Sequence, residues 1–214
     1  LVASQWESVA SVDLRALTTL QWSVMATDDL RSLTTQQWGY VETEDLRALV
    51  AVQWQAMSSD DLRDGLSTDQ WSLMATDDLV SLTTAEWSLM MTNSLQALDT
   101  LQWGALAADD LRSLTTSQWS AMATEDLQSL GSAQWSSMAT DDLRDGLTSG
   151  QWRSLDSDDL QALVAGQWQV LEDADLQSLK TEQWAFMASD DLRSLTTAQW
   201  SVMLSDDLGA LGSS

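Results

Sequence analysis

Large apolar residues recur along the whole chain at alternating intervals of three and five residues. Trp22 and Met25 form one pair, and Leu30 and Leu33 form the next. Residues three apart lie on one face of a helical turn, so each pair predicts one short helix. The chain therefore reads as a series of modules of about eight residues, each containing a helix and a turn.

Two kinds of module alternate, one centred on tryptophan and the other on leucine. The tryptophans occupy every sixteenth position, except that the steps from Trp54 to Trp71 and from Trp135 to Trp152 are one residue longer. A fixed short period indicates a repeat architecture. The thirteen tryptophans are Trp6, Trp22, Trp38, Trp54, Trp71, Trp87, Trp103, Trp119, Trp135, Trp152, Trp168, Trp184 and Trp200.

The pattern favours many short helices over one long helix. Eight residues at about 100° each overshoot two turns by about 80°, so one long helix would wind its apolar stripe around the axis. A β-solenoid is disfavoured because Ser, Ala, Asp and Gln are poor strand formers and nothing alternates with period two. We therefore predict an all-α solenoid or superhelix of very short helices. It has two helices in each 16-residue repeat and thirteen repeats in one continuous array over residues 1–214.

Helices this short are unstable alone and persist only when stacked against their neighbours. The indole, which is the largest apolar group available, is expected to hold the stack together. The residue before each tryptophan, which is Gln in twelve repeats and Glu86 in the other, is expected to support the indole N–H. The predicted structural core is Trp22, Trp38, Trp54, Trp71, Trp87, Trp103, Trp119, Trp135, Trp152, Trp168 and Trp184, with Leu30, Leu33, Leu111 and Leu114.

Helix starts and irregularities can also be read from the sequence. Thr19 and Thr27 are candidate N-caps, and a capping box from Thr18 to Gln21 is the competing register. The two longer repeats share the sequence DDLRDGL at positions 60–66 and 141–147, which are five tryptophan repeats apart. This spacing suggests a higher-order unit of five repeats. One-residue insertions are expected near Gly65 and Gly146, where a positive φ would bend the path.

Charge excludes several classes of partner. The chain has 33 acidic and 9 basic residues, giving a formal charge of -24. Nucleic acids and anionic membranes require basic patches, so neither is an expected partner. The longest apolar run, Ala48–Val52, is far too short to span a bilayer. The chain starts at Leu1 in mid-repeat, which is expected of a processed product or a piece of a longer protein.

No catalytic chemistry is expected. Histidine and cysteine are absent, so neither a catalytic triad with histidine nor a Cys/His metal site is available. No phosphate-binding loop or dinucleotide-binding glycine motif occurs. Thirteen near-identical repeats also argue against a single catalytic centre, and the sequence predicts that the protein is not an enzyme.

Acidic pairs precede the leucine in ten of the thirteen repeats. Acidic residues in a first helical turn interact favourably with the positive end of the helix dipole, and they increase solubility. A second reading is a series of weak sites for Ca²⁺ or another divalent cation, with ligands from neighbouring repeats because adjacent residues on a helix do not face each other. No other cofactor is expected. The candidate ligands are Asp28, Asp29, Asp60, Asp61, Asp64, Asp77, Asp78, Asp141, Asp142 and Asp145.

Three stretches, at residues 33–37, 114–118 and 195–199, read LTTQQ, LTTSQ and LTTAQ. They resemble the octapeptide repeats, Leu-Ser/Thr-Thr-x-Gln-Val-x-Ala, of long bacterial surface and secreted proteins. Two departures are clear: tryptophan replaces the aliphatic residue after Gln, and every second module carries Asp in place of Gln. The resemblance implies an extracellular or cell-surface setting with an adhesin-like or structural role, and it transfers no site residues.

Together these features predict a structural scaffold whose uncapped ends promote end-to-end self-association into a fibre or surface layer. The alternative is an acidic binding module that recognises divalent cations or a polysaccharide along its repeating face.

Overall fold

Each module forms one short helix. The computed structural model describes residues 2–211, which form 24 α-helices and two π-helices and contain no strand. The α-helices are four to six residues long. The predicted all-α solenoid, with two very short helices in each tryptophan repeat, is therefore confirmed.

The chain divides into two compact units, Leu1–Leu106 and Ala107–Ser214. That it forms one continuous array stays a prediction. The helices of the first unit are α1 (Ala3–Trp6), α2 (Ser11–Leu14), α3 (Thr19–Ser23), α4 (Thr27–Leu30), α5 (Thr35–Trp38), α6 (Thr43–Leu46), α7 (Ala51–Trp54), π1 (Asp61–Gly65), α8 (Thr68–Ser72), α9 (Thr76–Val80), α10 (Thr84–Leu89), α11 (Thr92–Leu95) and α12 (Thr100–Ala105).

The second unit continues the alternation of modules. Its helices are α13 (Ala108–Leu111), α14 (Thr116–Ala121), α15 (Thr124–Leu127), α16 (Ser132–Ser137), π2 (Asp142–Gly146), α17 (Ser149–Ser154), α18 (Ser157–Ala162), α19 (Ala165–Trp168), α20 (Asp173–Ser178), α21 (Thr181–Ala185), α22 (Ser189–Ser194), α23 (Thr197–Val202) and α24 (Ser205–Ala210).

Helices pack against partners three modules away along the chain. In the first unit α4 contacts α7 and α9 contacts α12, and in the second unit α17 contacts α20 and α21 contacts α24. Because three is odd, each of these contacts joins a tryptophan module to a leucine module. Within each unit the chain therefore coils so that modules three apart become neighbours.

The core of each unit is made by the large apolar residues of its modules. Trp22, Trp38 and Trp54 have no exposed surface, and the leucines between them are buried as well. The rings of Trp22 and Trp38 lie 6.2 Å apart between centroids and are tilted by 41°. All residues that the sequence assigns to the core, listed above from Trp22 to Leu114, are buried.

The N-cap of the tryptophan helix α3 lies one residue before the first candidate, Thr19. Thr18 is the N-cap: its Oγ1 accepts the backbone N–H of Gln21 at 3.3 Å, and its own N–H donates to Gln21 Oε1 at 2.8 Å. Thr19 and Thr27 lie at the first helical position, so their expected role as N-caps is wrong. The capping box from Thr18 to Gln21 is preferred to a cap at Thr19 because it provides acceptors for two backbone N–H groups.

The one-residue insertions are absorbed inside helices. Helices π1 and π2 occupy the same five residues, DLRDG, of the two longer repeats. A π-turn accommodates one extra residue within a helix, so the flanking modules keep their spacing. Among the described residues no glycine has a positive φ. The expected bend by positive φ at Gly65 and Gly146 is therefore wrong, and the two glycines serve another purpose.

Glycine is needed in the π-helices because a tryptophan helix packs directly against them. A Cβ atom at Gly65 would lie 2.9 Å from the carbonyl oxygen of Thr35 and 3.1 Å from Cβ of Trp38. A Cβ atom at Gly146 would lie 3.0 Å from Cβ of Trp119. The missing side chain therefore allows close approach between π1 and α5, and between π2 and α14.

We expect the substitution Gly65→Ala to destabilise the first unit by about 1–3 kcal/mol, because the backbone of α5 must move to admit a methyl group. The measurement is urea denaturation followed by tryptophan fluorescence. Gly166→Ala is the matched control: Gly166 lies in a helix with nothing within 4 Å of its would-be Cβ. The control should be neutral or stabilising by up to about 1 kcal/mol. Equal effects of the two substitutions would contradict the packing argument.

Candidate functional site

The best-defined polar constellation is a glutamine ladder on the tryptophan modules. We define it as Gln37, Gln53, Gln70 and Gln102 in the first unit and Gln151, Gln167, Gln183 and Gln199 in the second. Each of these side chains is buried. Each lies in the third position of a helix, directly before the tryptophan. Its burial requires that both the amide oxygen and the amide nitrogen find partners.

Gln53 illustrates the geometry. Its Oε1 accepts the backbone N–H of Val50, the cap residue of its own helix, at 2.8 Å. Its Nε2 donates to two carbonyl oxygens at the end of α3, those of Trp22 at 2.8 Å and Met25 at 2.9 Å. One amide thus joins the start of α7 to the end of a helix four modules earlier.

The same three contacts recur along each unit. Nε2 of Gln102 donates to the carbonyls of Trp71 and Met74 at 3.0 and 2.8 Å. Nε2 of Gln199 donates to those of Trp168 and Leu171 at 2.9 and 3.0 Å. The last carbonyls of a helix have no partner within it, and in these very short helices they are a large share of the backbone. The ladder supplies donors for them.

A second set of donors serves other helix ends. Arg31 Nε donates to the carbonyl of Ala56 at 3.1 Å. Gln161 Nε2 likewise donates to the carbonyl of Phe186 at 2.7 Å, 25 residues along the chain. These long side chains follow the central leucine and reach a module three positions further on. Polar side chains therefore reinforce contacts with modules both three and four positions away.

The indole N–H groups do not join these networks. The expectation that the glutamine supports the indole is wrong, because its amide is used by backbone groups at both ends. Nε1 of Trp22, Nε1 of Trp38 and Nε1 of Trp54 are buried without a hydrogen-bond partner among the described residues. The indoles therefore act chiefly through apolar packing.

The leucine modules carry aspartate where the tryptophan modules carry glutamine. Asp45, Asp61, Asp78, Asp110 and Asp142 are all buried. Each carboxylate lies in the first turn of its helix, but it lacks the N–H donors that the glutamine amide provides. The two kinds of module therefore present different chemistry at the same buried position.

Burial raises the pKa of Asp78 to about 6. The indole of Trp54, the backbone N–H of Ala75 and the charge of Arg47 oppose this increase, whereas Asp77 adds to it. The indole lies near enough to lower the pKa, although Asp78 Oδ2 has no partner at full hydrogen-bond geometry. A carboxyl group held in this way is easily protonated.

Three carboxyl groups in the second unit behave similarly. Burial raises the pKa of Asp142, Asp159 and Asp175 to about 6 in each case. Neighbouring acids add to the increase, Asp141 for the first of them. Burial also raises the pKa of Asp45, Asp110 and Asp191. Folding therefore favours protonation of these carboxyl groups in both units.

The acidic pairs do not converge on a common point. The first members, Asp28, Asp60, Asp77 and Asp141, are exposed, whereas the second members Asp61, Asp78 and Asp142 are buried and Asp29 is half-buried. Among residues 2–211 no group of three or more acidic side chains is arranged to hold a metal ion. The divalent-cation reading stays a prediction without a coordination site to support it.

The two remaining candidate ligands are held by arginines. Asp64 Oδ2 accepts Nη2 of Arg63 at 2.6 Å, and Asp145 Oδ2 accepts Nη2 of Arg144 at 2.7 Å. These hydrogen bonds lower the pKa of Asp64 and of Asp145. Each arginine also pairs with the acid three residues before it, Asp60 or Asp141. Both π-helices thus carry a closed, exposed ion-pair cluster.

One open groove lies on the second unit. It has a volume of about 460 Å³, and Arg153, Lys180, Glu182 and Asp207 are among its lining residues. Both signs of charge are present, and Lys180 and Glu182 are exposed. The carboxyl of Asp207 is buried and accepts a hydrogen bond from Thr181 Oγ1 at 3.0 Å.

No family model and no curated protein matches this chain. Among the described residues no helix is both long enough and apolar enough to cross a lipid bilayer. Functional inference therefore rests on the repeating contacts themselves.

Glu86 breaks the ladder and provides a direct test of it. Its carboxylate still accepts the Thr83 N–H, at 2.5 Å, but it has no N–H to donate to the carbonyls of Trp54 and Met57. We expect Glu86→Gln to stabilise the first unit by about 1–3 kcal/mol, since one neutral hydrogen bond contributes about 0.5–1.5 kcal/mol. Urea denaturation at pH 7 measures the change.

The reciprocal substitution, Gln102→Glu, should destabilise the same unit by about 2–4 kcal/mol, because two helix-end carbonyls lose their donors and face a carboxylate. Gln169→Glu is the matched control, since Gln169 is exposed and outside the ladder. If Gln102→Glu matched this control, the ladder would have no energetic role.

The buried aspartates predict stability that increases in mild acid. A folded-state pKa above the unfolded value means that the folded chain binds the proton more tightly, so stability falls as pH rises from about 4 to 6. For Asp78 the change from 3.8 to about 6 corresponds to roughly 3 kcal/mol. Asp78→Asn mimics the protonated group. We therefore expect this variant to be more stable than the wild type at pH 7 and equally stable at pH 4.

The measurement is the urea midpoint between pH 4 and pH 7 in high salt, which screens the exposed charges. Asp77→Asn is the control, because it removes the same charge from an exposed neighbour. A variant at Asp78 that tracked this control at every pH would refute the assignment.

Proposed function

We propose that the protein is a structural scaffold whose copies associate end to end, and that it acts outside the cell. The main support is the pattern of helix contacts that recurs within each unit. Helices in both units contact partners three modules away, and glutamine amides join tryptophan modules four apart, with nearly the same residues each time. An array of this kind has no unique centre at which one reaction would take place, so the proposed role is non-catalytic.

A second copy of the chain is the partner best suited to extend this pattern of contacts. The buried tryptophans and leucines and the glutamine ladder make their contacts inside each unit. The setting outside the cell rests on the octapeptide resemblance.

Charge makes the proposed association dependent on salt. At -24 each copy repels the next, and this repulsion weakens when the Debye length shortens from about 30 Å at 0.01 M to about 3 Å at 1 M. The proposal therefore includes association that strengthens with ionic strength.

The binding-module alternative has weaker support. A cation site would need carboxylates that face each other, but one acid of a pair is exposed and the other is buried, as in Asp77 and Asp78. A specific effect of Ca²⁺, beyond that of Na⁺ at equal ionic strength, would restore this alternative.

The test is sedimentation velocity across a hundredfold range of protein concentration, in low salt and in 0.5 M NaCl, with negative-stain microscopy of the same samples. We expect the mean mass to rise with concentration and with salt, and the particles to grow in length at constant width. Monomers under all conditions would contradict the proposal. Growth in width or into irregular clusters would contradict association through the ends.

A further inference from the structure

One position of the glutamine ladder carries an acid. Glu86 lies where the other repeats have glutamine, and it is only 7% exposed. Its Oε2 accepts both the N–H and the Oγ1–H of Thr83, at 2.5 and 2.9 Å. Oε1 of Gln37 accepts the same two groups of Thr34, at 2.7 and 3.1 Å. The cap residue therefore orients the buried carboxylate in the same way as it orients the amide.

The equivalent residue of the second unit shows what the other atom of this side chain contacts. Gln167 lies five tryptophan repeats after Glu86, at the same distance along the chain from the preceding π-helix. Its Nε2 donates to the carbonyl oxygens of Trp135 and Met138 at 2.8 and 2.9 Å. In Glu86 an oxygen takes the place of this nitrogen donor.

By this correspondence three oxygens converge in the first unit. They are Oε1 of Glu86 and the carbonyl oxygens of Trp54 and Met57. Among residues 2–211 no basic side chain forms an ion pair with Glu86, and no side-chain amide donates to the two carbonyls. A buried charge without an opposite charge is strongly unfavourable. The three oxygens therefore call for a positively charged occupant.

We infer that this place binds a small monovalent metal cation, Na⁺ or K⁺, through Oε1 of Glu86 and the carbonyl oxygens of Trp54 and Met57. One carboxylate balances one positive charge. Ca²⁺ takes about six to eight oxygen ligands, and the described residues contain no group of three or more acids that could hold it. The cation joins the start of α10 to the end of α7, as the amide joins such helices in other repeats.

A proton on the carboxyl group fits the three oxygens less well than a metal cation does. A protonated carboxyl group has one O–H and donates to one acceptor, whereas the amide that it replaces has two N–H groups. Protonation of Glu86 would therefore leave one of the two carbonyls without a donor. A metal cation contacts all three oxygens at once.

The test is urea denaturation of the full chain at pH 7 and constant ionic strength, with Na⁺ or K⁺ replacing tetramethylammonium, which is too bulky for the place. We expect the exchange to raise the wild-type ratio of folded to unfolded chain by at least about threefold, as for a ligand at about twice its dissociation constant. Glu86→Gln should lack this gain because its amide supplies the missing donors. Glutamine is the residue of the other repeats, so this variant is expected to fold.

The matched control is Glu44→Gln, which removes the same charge from an exposed position in the same unit. It should respond to the exchange of cations as the wild type does. Equal responses of the wild type and Glu86→Gln would overturn the inference. A wild type that gained stability over Glu86→Gln only as the pH fell, with no dependence on the cation, would also overturn it and assign the place to a proton. Neither outcome bears on the proposed self-association.

Discussion

The fold depends on a buried glutamine side chain that joins the start of its own helix to the end of another helix. A helix of four to six residues leaves most of its backbone groups without internal partners. The buried glutamine of each tryptophan module accepts the N–H that begins its own helix and donates to two carbonyls that end another. Gln53, for example, joins Val50 to Trp22 and Met25. Apolar packing of the indoles supplies the attraction, and the amide determines which helices meet and in what register.

The alternation of two module types follows from the spacing of the contacts. Packing between helices joins modules three apart, which are of unlike kinds, whereas the glutamine amide joins modules four apart, which are of the same kind. A glutamine amide therefore finds its carbonyl acceptors only at the end of another tryptophan helix. At the equivalent position of a leucine module the shorter aspartate lies near the indole of a helix three modules earlier, as Asp78 does with Trp54. The choice between glutamine and aspartate at this position therefore distinguishes the contacts of tryptophan modules from those of leucine modules.

Much of the fold was predictable because the apolar spacing is strict. Intervals of three and five residues predict short helices, and the thirteen tryptophans set their number and the buried core. The contacts between modules were not predictable, since a strict repeat in sequence is compatible with any number of modules per turn. The glutamine was therefore assigned to the indole next to it in sequence, whereas its partners lie 28 to 32 residues earlier. The role of Gly65 also depends on a neighbour distant in sequence, the carbonyl of Thr35.

The same spacing limits how the gene for such a chain can change length. Duplication or loss of one tryptophan repeat moves every later contact by two modules, so a tryptophan helix still meets a leucine helix at three modules and another tryptophan helix at four. Duplication or loss of a single module would place glutamine amides against leucine modules and bring like helices together in the core. Recombination between copies is therefore tolerated in steps of whole tryptophan repeats, and single octads are not exchangeable units.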